Sequence, residues 1–171
     1  MRDTLHDLFA DMAKRCPWNF LKVPYWYACG GRAHVKHHLA HYLKVHPQKL
    51  SFNTTLLKTL KHEKAQGRTL ILATGANEKI AQDIANHLNL FDVILGSTLS
   101  TNLTGPRKVA LLVELYGDRG FLYAGNARID QYVWARSAGI IVVNPNPGVI
   151  EIAQTLGEKI EAPVWVMESL K

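Results

Sequence analysis

The stretch GFLYAGNARIDQYVWARSAGIIVVNPNP, Gly120–Pro147, decides the fold. It opens on a short apolar run, Phe121–Gly125, and closes on another, Ile140–Asn144. The first is aromatic and aliphatic and the second rich in β-branched residues, with no polar alternation in either. That pattern predicts strands covered on both faces, as in a parallel sheet. Between them, Ile129–Ala138 reads as a helix. A strand, a crossover helix and a second parallel strand make the unit of an α/β fold.

Working outward, the same alternation continues towards the N-terminus. Thr69–Thr74 (TLILAT) is a third apolar run and Asp92–Gly96 (DVILG) a weaker fourth. Asn77–Leu88 places Ile80, Ile84, Ala85 and Leu88 at helical spacing, with Asn77 as its cap. Lys108–Tyr116 repeats the pattern with Ala110, Leu111, Leu112, Val113 and Leu115. Val164–Met167 supplies one further strand. The expected core is a doubly wound parallel sheet.

The first third differs. Asp3–Arg15 is amphipathic, with Leu5, Leu8, Phe9 and Met12 on one face; Arg32–Val45 and Asn53–Gln66 are further helices. Between the first two, CPWNFLKVPYWYACGG (Cys16–Gly31) is aromatic, and its prolines and paired glycines break helix. Residues 1–51 therefore read as a helical cap and residues 52–171 as the α/β core.

Composition narrows the function. The chain has 171 residues, 47% hydrophobic and 20% charged, with a formal net charge of +6. This is the make-up of a folded domain with a preference for anionic partners. No apolar run reaches the length of a membrane span. The N-terminus alternates apolar and charged residues, unlike a signal peptide. Cys16 and Cys29 have neither metal nor redox spacing, which points to a reduced, cytoplasmic protein. No Gly-rich dinucleotide fingerprint follows any strand, which argues against a nicotinamide enzyme.

Chemistry in open α/β sheets sits at the carboxyl ends of strands. Thr74 and Gly75 end the first core strand before a helix start, where a hydroxyl and free N–H groups suit a phosphate oxygen. Lys108 opens a helix after Gly105–Pro106, in position to neutralise phosphate charge. Asn126 and Asp130 follow the third strand and offer oxygen ligands to a hard cation. In HVKHHLAHYLKVH, His34, His37, His38 and His41 share one helical stripe beside the apolar Val35, Leu39, Tyr42 and Leu43. No carboxylate or cysteine completes a metal set there, so a pH-responsive polar flank is the expectation. Trp18, Tyr25 and Trp26, with Lys22, either pack the cap or meet a lipid or partner surface.

A strand ending in Thr, then a loop Lys, then a strand ending in Gly-Asn-x-x-x-Asp resembles the later motifs of the haloacid dehalogenase (HAD) superfamily of phosphohydrolases. The segments Leu72–Gly117 and Gly120–Pro147 carry the resemblance, which runs from about Asp3 to Pro147. It is closest to the HAD-like domain fused to membrane prenyltransferases of the UbiA type. The resemblance implies a HAD-like Rossmannoid sheet. It gives Thr74 and Gly75 to the transferring phosphoryl group, Lys108 to its charge, and Asn126 and Asp130 to Mg²⁺. It implies a phosphorylated small molecule as ligand, no nucleic acid, and a prenyltransferase partner at the inner face of the membrane.

Two departures stand out. Members of that family begin with a central strand ending in Asp-x-Asp-x-Thr, whose first aspartate attacks phosphorus. Here RDTLHDLF follows Met1, and Asp3 and Asp7 have no apolar strand to aim them. Asn126 stands where a carboxylate is usual. The expectation is a HAD-type phosphohydrolase domain with impaired catalysis and weak or lost Mg²⁺. The alternatives are a non-catalytic binding or regulatory module and a truncated fragment. An absent central strand also leaves two strand edges open: they close onto each other, Val164–Met167 or another chain fills the gap, or the chain is not stable alone.

Overall fold

A computed structural model describes residues 23–42 and 47–168. They form two compact units: residues 23–42, 47–50 and 67–103 in the first, and 51–66 and 104–168 in the second. The chain passes between them three times, so the break at residue 51 read from the sequence is one of three. The amphipathic segment Asp3–Arg15, with Asp7, Cys16, Trp18 and Lys22, lies outside the described residues.

In the first unit, α1 (Val23–Tyr42) consists of two helical arms joined at Gly30 and Gly31. Gly31 has φ 61° and ψ −151°, a conformation that L side chains rarely adopt. The aromatic stretch before it is helical from Val23, against the sequence reading. Pro24 falls in the first turn, where a missing N–H costs nothing, so only the glycine pair interrupts. The bend lets Trp26 of the first arm stack on His38 of the second, with ring centroids 4.8 Å apart. Trp26 and Val35 are buried, so Trp26 belongs to the packing of this unit, whereas Tyr25 is exposed.

Two parallel strands follow, β1 (Ile71–Asn77) and β2 (Val93–Ser97), with α2 (Thr54–Ala65) preceding them in the second unit. The helix α3 (Glu78–Leu88) connects β1 to β2 and buries Ile80, Ala81 and Ala85. Asn77 caps it as its residue type implies: the side chain accepts from the Lys79 N–H at 3.0 Å. Pairing runs from Ile71 with Val93 to Ala73 with Leu95, then slips before Asn77 meets Ser97. A β-carbon at Gly96 would lie 2.5 Å from Glu78 Cα, so β2 can pass the start of α3 only without a side chain there.

In the second unit α2 is capped by Asn53, which accepts from the Leu56 N–H at 2.8 Å. The strands β3 (Leu122–Gly125), β4 (Gly139–Val143) and β5 (Val164–Met167) form a parallel sheet in the order β3-β4-β5. The helices are α4 (Pro106–Tyr116), the short α5 (Gln131–Trp134) and α6 (Val149–Ile160). Central β4 buries Ile140 and Val142 completely, and Trp134, Val149 and Ala153 are equally closed off. One face of β4 is thus fully covered, while Ile141 and Val143 on the other are half-buried.

The sheet arrangement corrects three sequence readings. Among the described residues the strands fall into two hydrogen-bonded sheets, and β1 pairs with β2 rather than with β3. Val164–Met167 pairs with β4, at the end of its sheet, and does not fill a central slot. The helix expected over Ile129–Ala138 is only a 3₁₀ turn, Arg128–Asp130, and the single turn α5.

Candidate functional site

The chemistry of the second unit gathers where β3 ends. Tyr123 lies in that strand with its side chain buried, and Lys108 projects from the first turn of α4. Lys108 Nζ donates to Tyr123 Oη at 2.9 Å, and the same hydroxyl donates to Asp130 Oδ1 at 3.2 Å. Lys108 and Asp130 are each only 8% exposed, so this chain of bonds is sheltered from competing water. Burial first, and then the Asp130 charge, hold the Tyr123 phenol far above its ordinary pKa. It remains a protonated donor at any physiological pH.

The other carboxylate oxygen shapes the loop. Asp130 Oδ2 accepts from the backbone N–H of Asn126 at 2.9 Å and of Ala127 at 3.0 Å. An acid at the third position of a helical turn that reaches back to its cap is half of a capping box. This grip explains why Arg128–Asp130 forms a tight 3₁₀ turn. Trp134 Nε1 donates to the Tyr123 carbonyl at 3.2 Å, tying α5 to β3. The Asn126 carbonyl accepts from the Asn146 N–H at 3.0 Å, while the Asn126 side chain makes no hydrogen bond among the described residues.

Thr74 and Gly75 belong to the first unit. Thr74 is not at the end of its strand as expected: β1 continues to Asn77 through the register slip. Its Oγ1 accepts from the Ala76 N–H at 3.1 Å. The Gly75 carbonyl accepts from the buried Ser97 hydroxyl at 3.0 Å, and Ser97 Oγ in turn accepts from the Leu103 N–H. The irregular end of β1 is therefore held by side-chain bonds from within its own unit.

Lys108, Asn126 and Asp130 thus converge on one loop, with Tyr123 as the link that sequence reading missed. The signal was available: a tyrosine in a strand, if it faces the core, needs a partner for its hydroxyl; here Tyr123 is buried while Leu122 and Ala124 on the other face are exposed.

Magnesium takes an octahedral oxygen shell, with one or two carboxylates beside phosphate and water. Asp130 is the single carboxylate on this loop, and both its oxygens already accept hydrogen bonds. Among the described residues no three His, Cys, Asp or Glu side chains gather to hold a metal. The described residues therefore do not by themselves make a magnesium site; Asp130 braces the loop. His34 and His38 stand with ring centroids 5.0 Å apart, while the side chains of His37 and His41 lie outside what is described. Cys29 is exposed and free.

An apolar hollow lies elsewhere in the second unit. An open groove of about 970 Å³ runs between α4, α5 and α6, lined by Pro106, Val109, Val113, Tyr132, Ile152 and Leu156 among others. Neither Lys108 nor Asp130 lines it, so the polar chemistry rather than cavity size marks the candidate site. No described helix is long and apolar enough to cross a membrane.

No family model matches the chain. An uncharacterized protein of Sinorhizobium fredii is 34% identical over 142 residues, which cover 82% of this chain and 27% of that protein. The chain thus spans about a quarter of the length of this curated relative. Solved structures share its fold. A HAD family hydrolase from Salmonella enterica serovar Typhi matches 75% of this chain and 46% of its own, at TM-score 0.53 and 16% identity. A probable phosphoserine phosphatase from Vibrio cholerae matches 73% and 42%, at TM-score 0.55 and 13% identity. A protein of unknown function from Bordetella pertussis matches 81% and 66%, at TM-score 0.58 and 16% identity. The fold is a HAD-like Rossmannoid α/β fold with parallel strands.

Proposed function

We propose that the second unit carries the phosphoryl-gripping side of a HAD-type phosphohydrolase site. We propose further that the 171-residue chain by itself binds the phosphoryl group without turning it over. The observation that carries this reading is the buried Lys108 ammonium, held 2.9 Å from Tyr123 Oη beside the loop that follows β3. A cation fixed in a sheltered place attracts a dianion more strongly than the same cation in water. The net charge of +6 favours the same ligand class. The HAD-like fold of structures such as the Vibrio phosphatase supports the choice of a phosphoryl group over other anions.

The second half of the reading rests on the 171 residues themselves, which contain no Asp-x-Asp-x-Thr. Removing an essential nucleophile costs up to about 10⁶-fold in rate, which positioning by a lysine does not restore. The test is titration with inorganic phosphate followed by ³¹P NMR, and an assay with aryl phosphates. Phosphate binding that Lys108→Ala abolishes is expected. Absence of binding, or steady turnover at about 1 s⁻¹, would overturn the reading. Thr74→Val tests separately the phosphoryl-binding role that the resemblance gives to Thr74.

A further inference from the structure

We infer that Tyr123 is a positioning residue for the anion site: its hydroxyl fixes where the Lys108 ammonium sits and ties that position to the loop braced by Asp130. The inference rests on the phosphoryl-binding reading above and adds a residue that the family resemblance does not assign. Lysine is flexible, with several rotatable bonds, and on a surface its ammonium samples many positions. Here the Tyr123 hydroxyl accepts from Nζ at 2.9 Å, and the ammonium stands 5.5 Å from the ring centroid. The hydroxyl is itself oriented, because it donates to Asp130 Oδ1 at 3.2 Å. Asp130 cannot drift, because its second oxygen holds the Asn126 and Ala127 N–H groups. The strand carrying Tyr123 is pinned by the Trp134 indole on the Tyr123 carbonyl.

The result is an unbroken series from the start of α4 to the loop after β3. Its middle member is neutral. A direct Lys108–Asp130 ion pair would cancel the lysine's attraction for an anion at contact distance. An interposed hydroxyl keeps the two charges apart while fixing both. A ligand reaching Lys108 then meets a cation that has already lost its rotational freedom, and preorganisation of this kind strengthens binding.

The experiment uses the full chain labelled with ¹⁵N-lysine, as wild type and as Tyr123→Phe, with inorganic phosphate as the probe. In the wild type the Lys108 ammonium resonance is expected to be protected from exchange and to shift on adding phosphate. In Tyr123→Phe the protection is expected to weaken, and phosphate affinity to fall about tenfold, the size of one charge-assisted hydrogen bond. A merely structural role would leave that resonance protected. Equal phosphate affinity in the two proteins with an unchanged resonance overturns the positioning role and leaves the phosphoryl reading standing. Failure of the wild type to bind phosphate overturns both. Should Tyr123→Phe not fold, the wild-type resonance decides: fast exchange of the Lys108 ammonium overturns the inference.

Discussion

Gly125 and Asp130 are packed so closely that a β-carbon on the glycine would lie 2.7 Å from the aspartate's Cβ, Cγ and Oδ2. The carboxylate folds back over the end of β3, and only a residue without a side chain lets it do so. An aspartate free to swing would simply move aside. This one is held by three donors, so displacing it breaks the bonds that shape the loop. Gly125→Ala is expected to destabilise the chain by about 1–3 kcal/mol, the usual cost of forcing extra volume into a packed site. Urea unfolding would check it; an unchanged midpoint would show that the loop does not depend on the contact.

Asp130→Asn keeps the shape and removes the charge. The two backbone N–H groups then face one neutral carbonyl oxygen, and the amide nitrogen has to be placed against existing donors. The expected loss is about 1.5–3 kcal/mol, typical of hydrogen bonds to a charged group. Hydrogen exchange at the Asn126 and Ala127 amides is the direct measure and should quicken more than elsewhere in the unit. Uniform slow exchange at both would contradict the brace.

Asn77→Ala removes the cap of α3, whose side chain accepts from the Lys79 N–H. The substitution should cost about 0.5–2 kcal/mol. Asn77→Ser should recover most of it, since a hydroxyl caps as well. Paired thermal melts of the two variants would decide; equal losses would mean that burial of Asn77 matters and capping does not.

Asp118 and Arg136 form an exposed ion pair, with Oδ1 and Nε 2.5 Å apart. The Arg136 hydrogen bond holds the Asp118 carboxyl below the usual carboxylate range. A depressed folded pKa stabilises above the unfolded value, about 3.9 for aspartate, and that contribution is lost as pH falls through the folded value. Stability should therefore drop on acidification below roughly pH 4, and Asp118→Asn should flatten this limb while changing little at neutral pH. Melting temperatures measured from pH 7 down to about pH 3 would show it. An unaltered acid limb in the variant would rule out the pair as a contributor.

The cap at Asn77 was legible because capping is local: its side chain acts on an N–H group two residues away, and Asn53, read as the first residue of its helix, caps in the same way. The strands were legible to within a few residues because β-branched apolar runs have few other uses. The helix over Ile129–Ala138 was misjudged for a tertiary reason. Its apolar spacing suits a helix, but Asp130 spends its carboxylate on the Asn126 and Ala127 amides, and the chain must then return to start β4 at Gly139. Prolines and glycines before residue 32 were weighted equally, whereas a proline in a first turn is harmless and a glycine at positive φ is not.

By itself the sequence determined the order of the strands, the cap at Asn77, and the candidates Thr74, Lys108, Asn126 and Asp130, since each follows from neighbours along the chain; the helix Val149–Ile160 was not read from it. Only the tertiary structure decided that the strands fall into two sheets and that Lys108 and Asp130 share the hydroxyl of Tyr123. Lys108 and Tyr123 are 15 residues apart, and no local pattern encodes their meeting. It arises because α4 and β3 pack in one unit and bury both polar groups, and a buried polar group must find a partner or destabilise the fold.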